Sequence, residues 1–113
     1  IEQYIVRSFS KLYSGYEANW FFKGKVLSDL EKYDEAVDAF DKSIKLDPED
    51  VANWNLKGNE LSNLEKYKEA IEAFDKAIKL DSGDASHWYF KGHALYNLEK
   101  YDEAIEAVAR VRE

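Results

Sequence analysis

The chain's two imidazoles, His87 and His93, are the first candidates for chemistry. Histidines can hold a metal ion or move a proton near neutral pH. A ligand pair on one helix needs a shared face, which a spacing of three or four supplies. These two stand six apart and do not share one. His87 is read as a solvated residue and His93 as polar lining of a binding surface. No sequence signature places a serine beside a base. Paired carboxylates abound, but on a face where water would quench any pKa shift. With no cysteine there is no thiolate zinc site, no thiol nucleophile and no disulfide framework. The reading is therefore not an enzyme, with no cofactor and no metal, in a reducing, cytoplasmic setting.

The remaining chemistry is non-covalent recognition. Asn55, Asn59 and Asn63 are spaced i, i+4, i+8, a ladder on one helical face. Each amide both donates and accepts, so the ladder can hold the backbone of an extended peptide without reading its side chains. Phe21, Phe22, Tyr89, Phe90 and Tyr96 add large groups that a helix-pair core does not require, of a kind enriched among binding anchors.

These residues are positioned by a repeat. "LEKYDEA" occupies Leu30 to Ala36 and again Leu98 to Ala104, with "LEKYKEA" at Leu64 to Ala70, in steps of 34 residues. Trp20, Trp54 and Trp88 keep the same step, as do Gly24, Gly58 and Gly92, and Leu27, Leu61 and Leu95. Tyr33, Tyr67 and Tyr101, then Ala36, Ala70 and Ala104, follow in register. Phe40 and Phe74 match, but Val108 stands at the third position. A period of this size signals stacked supersecondary units.

Within a unit the apolar spacing is helical. Trp54, Leu61 and Leu64 fall on one face, and Ala70, Ala73, Phe74, Ala77 and Ile78 form a stripe of period 3.6. Each unit is thus two helices, over 51–64 and 68–81 in the second copy. The short link between them makes the pair antiparallel. The recurrent glycines permit close helix approach, and no second glycine stands near to build a phosphate loop. Asp50 and Asp84 are placed to cap first helices, and Pro48 and Gly83 punctuate the links. Asp38 with Lys42, Asp41 with Lys45, Glu72 with Lys76 and Asp75 with Lys79 are read as i, i+4 pairs on a solvated face.

Trp, Gly, Leu, Tyr, Ala, Phe, Ala and Pro at these separations resemble the tetratricopeptide repeat. The resemblance covers Glu17 to Glu113, with units at 17–50, 51–84 and a shortened 85–113. It implies an all-α solenoid of antiparallel helix pairs, wound as a right-handed superhelix. Lys23, Lys57 and Lys91 stand where the family usually has a large apolar residue, and Glu31, Glu65 and Glu99 replace a common turn glycine. Residues 1–16 fit a degenerate partial unit, with a detached N-terminal helix as the alternative.

The resemblance further implies that first helices line a concave groove that binds a peptide or a helix. The groove positions are Phe21, Phe22, Lys25, Asn55, Leu56, Asn59, Asn63, Tyr89, Phe90, His93, Tyr96 and Asn97. A subset of the family clamps carboxylate tails with Lys, Asn and Arg. The corresponding sites here hold Phe21, Lys25, Leu56, Ser86 and Phe90, so a neutral or apolar segment suits this groove better. The formal net charge of −7 argues against binding to nucleic acid or an anionic membrane. Val108 and Val111 on the last stripe, and Ile1, Ile5 and Phe9 on the first, suggest a second mode, self-association by end-to-end stacking.

Overall fold

The computed structural model describes residues 15–112. Six α-helices follow one another: α1 (Gly15–Asp29), α2 (Tyr33–Leu46), α3 (Val51–Asn63), α4 (Tyr67–Leu80), α5 (Ala85–Asn97) and α6 (Tyr101–Ala109). A 3-10 turn, Arg110–Arg112, ends the described chain. There is no strand among the described residues. α1 begins two residues before the expected boundary at 17, and α3 and α4 end one residue before the expected 64 and 81. The partial unit expected over 1–16 lies almost wholly outside the described residues.

The repeated heptapeptide is a helix stop and a helix start. In the first unit the Glu31 amide donates to the Ser28 carbonyl and the Lys32 amide to that of Leu27. This crossed pair is the Schellman closure of a helix C-terminus. It recurs as Glu65 to Ser62 with Lys66 to Leu61, and as Glu99 to Tyr96 with Lys100 to Leu95. The closure needs a left-handed residue, and Glu31, Glu65 and Glu99 take φ of 60°, 60° and 62°. Each Lys carbonyl then accepts the amide of the alanine four residues on, which begins the second helix. At the other junction Asp50 and Asp84 accept from the Ala52 and Ser86 amides, capping α3 and α5. The Ser86 hydroxyl, with its amide, holds the Asp84 carboxyl below its usual pKa.

Second helices supply the core. Ala36, Ala39, Phe40 and Ile44 of α2, and Ala70, Ala73, Phe74 and Ala77 of α4, are buried. Small alanines let the first helix approach, and glycine on that helix completes the fit. A Cβ on Gly24 would stand 2.6 Å from the Phe40 ring, and one on Gly58 2.5 Å from that of Phe74. The units share one core. Leu61, Ala70 and Phe74 receive Val37 from the unit before and Phe90 from the unit after. Leu95, Ala104 and Ala107 receive Ile71 in the same way. The result is a stack with a radius of gyration of 15.4 Å, against about 13 Å for a compact domain of similar length.

The charged face departs from the expected pattern. Asp41 and Asp75 bridge to Lys57 and Lys91 of the following unit, each at 2.7 Å, instead of pairing with Lys45 and Lys79 on their own helices. The cause is the lysine before each glycine. Its ammonium lies over a tryptophan, 5.6 Å from the centroid for Lys57 on Trp54 and for Lys91 on Trp88. From there the same ammonium meets the acid of the preceding second helix. A second cation covers each ring from its own unit: Lys42 on Trp20, Lys76 on Trp54 and Arg110 on Trp88.

Candidate partner-binding surface

α1, α3 and α5 carry all twelve candidate positions. α3 and α5 touch each other directly, as helices on the inner side of a bend do. Residues 34 apart form rows across the three first helices, and the structure sorts those rows by what each side chain touches.

Phe21 and Phe90 are partly buried. Phe21 meets Phe40 edge-on at 6.1 Å, and Phe90 stacks on Phe74 of the preceding unit at 5.9 Å. Both serve packing, and Leu56 is half-buried as well. Phe22 is 68% exposed. Lys25, Asn59 and His93 make one row, with Lys25 and His93 exposed and Asn59 half-buried. Asn63 and Asn97 lie one turn further and are exposed. The Asn97 amide donates to the His93 carbonyl at 2.9 Å, which tethers it to its own helix.

The asparagine ladder is not uniform. Asn55 is half-buried, and its Oδ1 lies 3.2 Å from His87 Nδ1. Asn55 therefore braces the next unit, while Asn59 is half-buried and Asn63 is exposed with its side chain hydrogen-bonded to Glu60.

His87 corrects the sequence reading. It is 2% exposed, not solvated. Its position is that of Asn53, which is also buried, in the first turn of a first helix that wedges against the unit before. The ring nitrogen bond to Asn55 compensates the burial.

A buried carboxyl was invisible to the sequence reading. Glu60 is 3% exposed, and the Ser28 hydroxyl donates to its Oε1 at 2.7 Å across the joint. Burial raises its pKa above 4.5, the Ser28 and Asn63 hydrogen bonds offset part of this, and Asp29 adds repulsion. Its partner comes from another unit at an offset of 32, so no motif announces it.

Tyr89, His93 and Tyr96 open onto a different feature, an apolar hollow of about 720 Å³ at the end of the stack. Gly92, Tyr101, Ala104, Ile105, Val108 and Ala109 complete its walls. Tyr96 and Ile105 are 61% and 69% exposed. The equivalents of Ile105 in the earlier units, Val37 and Ile71, pack beneath the next unit. The hollow is thus the stacking face of the third unit.

No helix among the described residues is long and apolar enough to cross a membrane.

Comparison with known proteins agrees with this geometry. Among solved structures, the first repeat domain of Spaghetti (RPAP3), bound to the HSP90 peptide SRMEEVD, superposes with a TM-score of 0.81. It is 25% identical, over 84% of this chain and 75% of that one. The TPR2B domain of yeast Sti1, in a complex with pHsp70, gives 0.82 at 26% identity, over 85% and 77%. MamA from Desulfovibrio magneticus RS-1 gives 0.80 at 25%, over 94% of this chain and 60% of that one. No curated protein matches the sequence. The sequence models described as Tetratricopeptide repeat match residues 55–113 and 20–50, the first alone covering more than half of the 113 residues. The chain belongs to the tetratricopeptide repeat family, a fold of protein interaction.

Proposed function

We propose that this chain docks an extended or helical segment of neutral or apolar character on the face formed by α1, α3 and α5. The observation that carries the reading is the row Lys25, Asn59 and His93, flanked by Asn63 and Phe22. These side chains reach solvent from first helices that are otherwise locked by packing. A rigid platform with outward polar groups and an apolar anchor binds at low ordering cost. The neighbours bound to HSP90 and Hsp70 segments support peptide docking in general. Their acidic ligand is not carried over, because Phe21, Leu56 and Phe90 stand at the clamp positions and two of them are packed. A cytoplasmic setting belongs to the same proposal.

The test is to pan a displayed peptide library against the chain and its Lys25→Ala, Asn59→Ala, Asn63→Ala variant. Sequences enriched only by the unaltered chain support the reading. Equal enrichment by both proteins overturns it, as does low-micromolar binding of an SRMEEVD peptide.

The hollow at the third unit favours a second mode, self-association through the stack end. Its walls are apolar, and it repeats a face that is covered in the earlier units. Ala109 stands where Asp41 and Asp75 form their bridges, so this face lacks the acid that meets the next unit's lysine at the earlier joints.

A further inference from the structure

We propose that Asp81, Asp84 and His87 form a site for a divalent transition-metal ion, zinc first, at the joint between the second and third units. One ligand atom from each of the three lies within 4.8 Å of the other two. The decisive member is His87. It is buried, yet its Nε2 has no hydrogen-bond partner among the described residues. Nδ1 faces Asn55 Oδ1 at 3.2 Å. An amide oxygen can only accept, so Nδ1 carries the proton and Nε2 presents its lone pair. This is the tautomer that metal-bound imidazoles adopt when the second nitrogen is held by a neighbouring oxygen.

The Asp84 carboxylate faces that lone pair, with Asp81 within 4.8 Å of both. Asp84 Oδ2 stands 3.6 Å from Nε2, too far for a hydrogen bond. It is close to the separation of about 3.4 Å that two ligands take around a tetrahedral ion with bonds of about 2.1 Å. Asp84 is fixed by its other oxygen, which accepts from the Ser86 amide and hydroxyl at 2.9 and 2.7 Å. Asp81 is fixed likewise, its Oδ1 accepting from the Gly83 amide at 3.1 Å. Each keeps a second oxygen for a ligand. A nitrogen donor beside two carboxylates selects zinc and its neighbours over calcium or magnesium. Three protein ligands leave a fourth position open.

The preceding joint is an internal control. Asp47 and Asp50 repeat the frame, accepting from the Glu49 and Ala52 amides at 3.2 and 3.0 Å, but Asn53 stands where His87 does. The imidazole is what makes the third unit's joint different. Asp81 closes α4, Asp84 caps α5, and His87 reaches Asn55 on α3, so an ion here would tie three helices.

The test is a Zn2+ titration of the full chain by calorimetry, with imidazole nitrogen shifts followed by NMR. We expect one ion per chain, a shift on His87 Nε2 and none on His93. H87N carries the residue that the second unit already buries, and D81N changes an exposed carboxylate. Each should weaken binding at least about tenfold. Zn2+ should raise the melting temperature of the unaltered chain and of neither variant. Equal affinity in H87N, or a shift on His93 instead of His87, would mean scattered surface binding and overturn the site. So would no binding at millimolar Zn2+. Should H87N lose its helical circular dichroism, D81N decides alone.

Discussion

Gly58 lies face-on to the ring of Phe74, so close that a Cβ would stand 2.5 Å from Cε1 and 2.7 Å from Cδ1. Phe74 is fully buried among Leu61, Ala70 and Phe90 and cannot yield. Alanine normally gains about 1 kcal/mol over glycine in a helix. Overpacking a tight core costs about 1–3 kcal/mol. G58A should therefore destabilise, by up to about 2 kcal/mol net. At Gly92 the nearest obstacle is Val108 at 2.8 Å, a side chain that is 46% exposed and free to move, and the Ala104 carbonyl at 3.3 Å offsets part of alanine's helix gain. G92A should be close to neutral. Denaturant unfolding of the two variants checks the contrast, and equal losses would contradict it.

Glu31, Glu65 and Glu99 each hold a left-handed turn that glycine adopts without strain. A Cβ in that region costs on the order of 1 kcal/mol. Glycine at each position should stabilise by up to about 0.5 kcal/mol, after its greater unfolded-state entropy is counted. Removing three acids also lowers the repulsion in a chain of net charge −7. The triple Glu→Gln variant makes the same charge change and keeps the Cβ. Thermal melts should place the glycine triple clearly above the glutamine triple; coincident melts would show that charge alone acts.

Sequence periodicity revealed what is written three times. The tryptophan, glycine, leucine and alanine rows recur every 34 residues, so helices, turns and core could be read off. Even the strained turn was visible, as three glutamates where a glycine is usual. What escaped crosses units at an offset other than 34. Asn55 finds His87, and Ser28 finds Glu60, 32 residues away. Asp41 finds Lys57 at 16, although Lys45 is a nearer partner in sequence. Helix periodicity orders contacts within an element. It does not say which side chain a neighbouring unit will present. For the same reason the candidate groove divided into packed members, such as Phe90, and exposed ones, such as Phe22.

Ile105 tests the stack end. It is 69% exposed, so I105E should alter monomer stability by no more than about 0.5 kcal/mol. It also places a charge in the apolar hollow beside Tyr96 and Tyr101. Sedimentation at increasing concentration should show mass rising for the unaltered chain and constant for I105E. A chain that stays monomeric throughout would remove the stacking mode.

Glu60 should make stability fall as pH rises. Its folded pKa lies above 4.5 because burial penalises the charged form. Between the unfolded and the folded values the native state binds more protons than the unfolded state, so the slope of unfolding free energy against pH is negative. The stabilisation is fully present below the unfolded value and is lost as pH passes through the folded one. E60Q keeps an oxygen for the Ser28 hydroxyl, which now donates to an uncharged amide. Its melting temperature should match the parent below about pH 4 and exceed it near neutrality, the gap opening across that window. A gap independent of pH would mean that the substitution acts through packing and not through the buried charge.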